Sequence, residues 1–501
     1  MRHLRCSTRW QGPARAWGLL AAALAMDAGA DLTDLTFQSE LESLAARSNQ
    51  ATYDQLKQST GCDDIQDAAT RTCAGGTFIV WKNVRELVHT ANDLTGAGPT
   101  KFSLNQSADQ LGFTLRWTAA EEFASQGAMS SNFINGQLSG LAARITAIRS
   151  GSTGFRLGQA GTGSYEQVAG QPAGRVALGG GASADQGDGW SPWGGFINFS
   201  YVAGSRDPSD LEDAFDFDGS DINGGMDYRF ANGWVVGLVL GYQEQLVDFD
   251  SSLSIVDGEA KSVGYSMMPF VLLQRELWYW SFSLGYQAMA FDTQRRISYP
   301  SFNPDIASVN TAADSETSAG VVSAYSSAGW TFRPAAALSV EPYLALDYYH
   351  IDIDRYAEAD LNDEGFDFIV LDQQIDYLEG ILAVKLQYVL TPPFAVIVPF
   401  LDAQWHHQFE TDPREITAVY QAAAGDLALN PNAYFRLPTD ALDPSYAVYA
   451  VGLSAVVRGA RQRELGQAAA GGLQTYLLYR HVSNLDYYRQ AGVSLGLRYE
   501  F

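Results

Sequence analysis

Ala491-Gly492-Val493-Ser494-Leu495-Gly496-Leu497-Arg498-Tyr499-Glu500-Phe501 is the stretch that decides the fold. Val493, Leu495, Leu497, Tyr499 and Phe501 are apolar or aromatic, and the residues between them are small or charged. Alternation with a period of two predicts a strand with one apolar face and one tolerant face. The aromatic residue at the last position falls on the apolar face.

That ending resembles the ends of outer-membrane barrels of Gram-negative bacteria, and the sequence upstream repeats the pattern. Twelve candidate strands follow one another from Trp193, at 193–202, 218–230, 234–247, 260–272, 276–291, 318–332, 338–351, 373–389, 394–409, 445–457, 472–482 and 487–501. A tilted membrane strand needs ~9–11 residues, which each supplies. In the third, Trp234, Val236, Leu238, Leu240 and Tyr242 alternate with Val235, Gly237, Val239, Gly241 and Gln243. The bulky set suits a lipid-facing band with aromatic ends, and the smaller set suits a lumen.

The connections alternate in length. Long ones near 203–217, 248–259, 292–317, 352–372 and 410–444 are separated by short ones such as Ala231-Asn232-Gly233, Gln274-Arg275 and Arg333-Pro334. Short turns on one rim and long loops on the other are the rhythm of a barrel with both ends in the periplasm. The last pair reverses it, with a medium turn at 458–471 and a short loop near 483–486. The fold expected is therefore an all-β transmembrane barrel at 190–501, with 12 antiparallel strands and a C-terminal Phe, probing lipid and lipopolysaccharide with its outer face.

Charge follows the same partition. The net charge is −25, and the loop at 352–372 holds Asp352, Asp354, Glu358, Asp360, Asp363, Glu364, Asp367 and Asp372 against Arg355. A surface this acidic excludes nucleic acid, whose phosphates need basic partners. Asp248/Asp250 and Asp352/Asp354 have the chemistry to hold Ca²⁺ or Mg²⁺ that bridges lipopolysaccharide, but they lack the spacing of a calcium loop. Solvated surface charge is the reading preferred for them, since charge runs on loops are usually just that.

The other end of the chain reads as an export signal over 1–30. Arg2, Arg5, Arg9 and Arg15 precede the apolar run from Ala16 to Met26, then Ala28-Gly29-Ala30, with cleavage expected after Ala30. No later segment has the 18 consecutive apolar residues of a membrane helix. Export puts Cys62 and Cys73, eleven positions apart, in an oxidising compartment, where one small disulfide loop is expected.

Residues 31–130 read as a small helical domain, with helices over Leu35–Leu56, Phe78–Leu94 and a long one over Ala108–Ile148. Within the last, at 131–149, Ile134, Leu138, Leu141, Ile145 and Ile148 make one apolar stripe. Gly136 and Gly140 thin one side of this helix, and Arg144 and Arg149 lie elsewhere on its surface. A Gly/Ser/Ala-rich linker follows at 150–189.

A helix, a linker and a twelve-stranded Phe-ended barrel together resemble the translocator of autotransporters, the type V secretion family. Gly233-Trp234-Val235-Val236-Gly237 and the terminal stretch from Gly492 to Phe501 carry the likeness over about 193–501. The resemblance implies that the helix threads the pore while the upstream segment reaches the cell surface. It also implies barrel-assembly machinery and periplasmic chaperones as partners, and a monomeric barrel. Family members that cut themselves do so beside paired asparagines, whereas Asn132 and Asn135 are not adjacent, so self-cleavage is not expected. A ~20-residue helix is ~30 Å long, enough to cross the barrel. An apolar stripe suits a polar lumen only where it meets an apolar wall, and it suits packing against the other N-terminal helices equally well.

Candidate chemistry is sparse. His481 and Ser483, two apart on strand eleven, resemble the His-x-Ser of outer-membrane lipid A deacylases, and nucleophilic serine chemistry needs such proximity plus a group that orients the imidazole. Rim girdles place Tyr and His in the same way without catalysis. His406 and His407 are adjacent on a strand and so point to opposite faces, which prevents them from sharing a metal ion. Phosphate loops, GxSxG elbows and metalloprotease motifs are absent from the sequence, so neither cofactor nor metal is expected. The chain reads as a non-enzymatic translocator that displays its own N-terminal helices. A plugged porin-like channel with a periplasmic helical domain and a lipid hydrolase using His481 and Ser483 are the two alternatives.

Overall fold

The computed structural model describes residues 31–63, 73–149, 193–249, 256–392, 395–457 and 473–500. The export signal expected at 1–30, the linker expected at 150–189, Asp250, the turn expected at 458–471 and Phe501 lie outside them.

Twelve long strands form the barrel: β1 Trp193–Arg206, β2 Phe215–Arg229, β3 Trp234–Phe249, β4 Gly258–Gln274, β5 Trp278–Tyr299, β6 Val309–Trp330, β7 Leu338–Ile353, β8 Gln373–Tyr388, β9 Ala395–Gln408, β10 Ser445–Val457, β11 Leu473–Ser483 and β12 Tyr488–Glu500. Each pairs antiparallel with its sequence neighbour, and β1 closes on β12 from Gly194↔Glu500 to Arg206↔Tyr488. Closure leaves no strand edge to meet lipid, which cannot satisfy a backbone N–H. Among the described residues, no helix is long and apolar enough to cross a membrane.

Register aligns the apolar face around the outside. Leu240 lies opposite Met267, Met267 opposite Tyr286, and Tyr286 opposite Val322, and all four are at least half exposed. Their strand neighbours Val239, Met268, Gln287 and Val321 point inward and are buried. At the short-turn rim, Gly233 has φ +85, which lets the β2–β3 connection turn back in four residues, Phe230 to Gly233. The outward face of β12 carries Val493, Leu495 and Leu497, and Tyr499 pairs with Gly195 and Leu473.

One connection is shorter than the sequence suggests. The loop expected at 292–317 is strand for most of its length, because β5 runs to Tyr299 and β6 begins at Val309. The two stand as a tall hairpin whose inward Ile297, Tyr299, Val309 and Ala313 are buried.

On the long-loop rim sits a helical cap. Helices α1 Glu40–Ser59, α2 Gly75–Thr95 and α3 Ala108–Trp117 precede a 3-10 turn, Glu121–Ala124, and α4 Ser125–Arg149. Ser39 and Ser107 start α1 and α3 with reciprocal capping boxes to Glu42 and Gln110. Gly96, at φ +74, stops α2. Cys62 and Cys73 form a disulfide, and Tyr53 stacks on Trp81 at 4.7 Å. The single helix expected over Ala108–Ile148 is broken at Thr118-Ala119-Ala120, where Ala120 takes φ +60. Alanine has the highest helix propensity, so nothing local announces that break.

Candidate functional site, a helix inside the barrel

Helix α4 occupies the lumen. Ile134, Leu138, Leu141, Ile145 and Ile148 are all buried, and none of the α4 side chains described is exposed. The helix packs on β1 to β5, and its stripe joins one core with Phe215, Phe217, Val235, Val239, Phe249, Met268, Phe270 and Leu272, which face inward. The sequence left open whether this stripe meets a wall or other helices. It meets a wall, because this sector of the lumen is apolar.

Small residues set the depth of contact. A Cβ on Gly140 would lie 2.7 Å from the side-chain nitrogen of Asn223 on β2, so a larger residue there must displace that side chain. Between α4 and β1–β3, a cavity of about 20 Å³ borders Asn132, Gly136, Asp221 and Gln243, with room for roughly one water.

The other contacts are polar and fix the helix in rotation and height. Arg144 pairs with Asp227 on β2, both fully enclosed, and its guanidinium lies 4.7 Å from the centre of the Phe196 ring. Arg149 pairs with Glu341 on β7, donates to Thr331 Oγ1 at 3.2 Å and covers the Tyr279 ring at 3.4 Å. Ser266 Oγ donates to Gln137 Oε1 at 2.6 Å, Arg480 Nη1 to Ser139 Oγ at 2.7 Å, and Lys385 Nζ to Thr146 Oγ1 at 2.9 Å. Sequence reading placed both arginines on the helix surface without a partner. Asp227 and Glu341, carboxylates at inward positions of membrane strands, were the signal that a cation faces them.

The helix has a direction. Arg149 reaches Thr331, Tyr279 and Glu341, all beside the short turns at 275–277 and 331–337. At the other end, Gln126 Nε2 donates to Tyr356 Oη at 3.0 Å, and Arg414 donates to the Ala124 carbonyl. Tyr356 and Arg414 belong to the long connections 354–372 and 409–444. The chain therefore enters the lumen from the long-loop rim and ends α4 at the rim where β1 begins.

Buried charge gathers where cap and barrel meet. Arg295, on the tall hairpin, donates to Glu358 at 2.7 and 3.1 Å, to the Phe366 carbonyl at 2.6 Å and to the Trp117 carbonyl at 3.4 Å. Arg116 pairs with Glu121 at 3.2 Å and Asp213 at 3.3 Å. Glu122 is enclosed with no hydrogen-bond partner for Oε2, and burial pushes its carboxyl up to about 8 despite the Arg295 charge. Burial raises Glu86 on α2 to about 7, against the nearby Lys82 and Arg85.

The other residues singled out in the sequence are dispersed. His481 is exposed on the outer face, and Ser483 Oγ donates to the Ala447 carbonyl at 3.4 Å, not to His481. His406 points inward to Glu379 at 2.9 Å and stacks on Tyr446, while His407 bonds Ser445 at 2.9 Å. Asp352 lies 3.3 Å from His350, and Asp354 accepts from Ser318 Oγ at 2.5 Å. Among the described residues, no three or more His, Cys, Asp or Glu side chains converge as metal ligands.

A closed antiparallel barrel with lipid-facing belts and a helix through its lumen defines a threaded outer-membrane barrel. The chain belongs to the autotransporter family, since residues 195–460 match the Autotransporter beta-domain. It is thereby an outer-membrane protein of a Gram-negative bacterium. It is similar in fold to the translocator domain of the autotransporter NalP from Neisseria meningitidis, at 13% identity over 62% of this chain and 89% of that one, with a TM-score of 0.44. The transport unit of AIDA-I from Escherichia coli gives 10% identity over 64% and 92%, with a TM-score of 0.41. The beta domain of the Bordetella autotransporter BrkA gives 13% over 62% and 100%, with a TM-score of 0.38. No curated protein matches the sequence.

Proposed function

We propose that the barrel carries its own N-terminal segment across the outer membrane and holds it at the cell surface, with α4 retained as the plug of the pore. The observation that carries this reading is the path of α4, from a cap built on the long-loop rim to the rim of short turns. Long loops face outward in outer-membrane barrels and short turns face the periplasm. In that orientation both barrel ends are periplasmic and residues 31–124 are outside. The basic and apolar segment at 1–30 would direct export and be cleaved after Ala30. Barrel-assembly machinery and periplasmic chaperones would act before insertion. The work is geometric and non-enzymatic: the lumen passes the chain, then the apolar wall and the Arg144 and Arg149 pairs stop it.

Cysteine labelling tests the orientation. Asp109→Cys on α3 and Asn232→Cys on a short turn are both exposed sites. In intact cells, a membrane-impermeant thiol reagent should modify Asp109→Cys at once and Asn232→Cys only after the outer membrane is permeabilised. The reverse pattern would place the cap in the periplasm and leave a plugged channel as the reading.

A further inference from the structure

The helices ahead of α4 do not complete a core among themselves. Nearly half the buried apolar side chains of that core come from the barrel, from its long connections and from Ile297, Tyr299, Val309 and Ala313 on the tall hairpin. Tyr356–Ala357, Phe368–Val370, Glu415–Tyr420 and Phe435–Pro438 form a four-stranded sheet that the sequence pattern did not reveal, drawn from the connections 354–372 and 409–444. On its inner face Phe368 stacks on Tyr420 at 4.8 Å and meets Phe435 at 5.0 Å, and Phe123 from the N-terminal segment packs edge-on to Phe368 at 6.5 Å.

Polar groups tie the same surfaces together. Tyr420 Oη donates to Asn49 Oδ1 at 2.9 Å in the buried interior. Asn83 donates to the Glu364 carbonyl at 2.7 Å, and the Phe302 amide to the Leu104 carbonyl at 2.8 Å.

We propose that residues 31–124 fold only against this loop sheet, which is the docking surface that captures them as they leave the pore. A sheet whose strands run only two to six residues, with one apolar face, needs a layer packed on that face. Three helices lacking half their core expose apolar surface whose burial must offset the cost of ordering the chain. Each half therefore needs the other. The segment is a permanent lid and not a separable cargo. That the segment is captured on leaving the pore, and on which side of the membrane, rests on the function proposed above; the mutual dependence of the two halves does not.

The full-length protein in detergent tests this independently of its orientation in the cell. Phe368→Ala with Phe435→Ala removes the ring cluster, and Arg436→Ala is the control, since Arg436 points from the opposite face to Glu415. With the barrel still heat-modifiable on gels, the ring variant should lose residues 31–124 to protease at least about tenfold faster, because cleavage follows the opened population. The control should match wild type. A protease-resistant N-terminal segment in the ring variant would show that it folds by itself and overturn the proposal. If the double variant fails to form a heat-modifiable barrel, Tyr420→Phe, which removes only the bond to Asn49, replaces it with the same two readings.

Discussion

Leu240 and Leu115 are the same residue used in opposite ways. Leu240 on β3 is half exposed in a row that runs across strands to Met267 and Tyr286. Leu115 on α3 is wholly buried in a core whose other members lie as far along the chain as Leu437. The barrel puts apolar side chains outward because its outer solvent is hydrocarbon, and the cap puts them inward because its solvent is water. The first arrangement needs only alternation and a neighbouring strand. The second needs segments brought together from both ends of the sequence.

Breaking the join between the two regions should have the largest effect. Arg144→Glu sets a carboxylate against Asp227 in an enclosed site, and losing one partner of a buried pair costs about 3–5 kcal/mol. The wild-type barrel in a planar bilayer should be closed or nearly so, and the variant should conduct as α4 leaves its wall. Phe123→Ala, within the cap core, should cost about 3–5 kcal/mol of cap stability. Protease mapping should then find the N-terminal segment cut while the barrel stays heat-modifiable. On the outer face, Leu240→Arg should destabilise the barrel by about 2–4 kcal/mol near mid-membrane, read by urea titration in lipid, with the cap unaffected until the barrel opens.

The effect with the smallest increment, gained unit by unit, distinguishes the regions by pH. Glu122 titrates near 8 in the folded cap against 4.5 ordinarily, and Glu86 near 7. The folded state therefore binds more protons than the unfolded one between those values, so cap stability falls as pH rises from about 4.5 to 8. One such group contributes up to about 1.4 kcal/mol per pH unit. Cap melting should be lower at pH 8 than at pH 5, and Glu122→Gln should raise the pH 8 value and flatten the slope. An unchanged slope would mean that Glu122 is not enclosed.

These contrasts explain what the sequence disclosed. Strand number and order were legible because each strand carries its own period, as in Trp234 to Gln243. The α4 stripe was legible for the same reason. Its destination was not, since the inward Phe215, Phe217 and Phe270 belong to strands whose lumen was expected to be polar. The loop sheet was hidden because Phe368–Val370 is three residues long, below any window that reveals a period. Arg295 gave no sign either, because its partners Glu358, Phe366 and Trp117 are assembled only by the fold.

The threaded helix is tested most directly by a cross-link. A Cβ on Gly140 would lie 3.4 Å from Asn223 Cβ, close to the roughly 3.5–4.5 Å that a disulfide spans. The Gly140→Cys/Asn223→Cys protein, isolated from outer membranes without reducing agent and cut in the linker at 150–189, should keep its N-terminal fragment bound to the barrel on a denaturing gel until thiol is added. Release without thiol, from a barrel that is folded and in the membrane, would mean that α4 does not lie in the lumen.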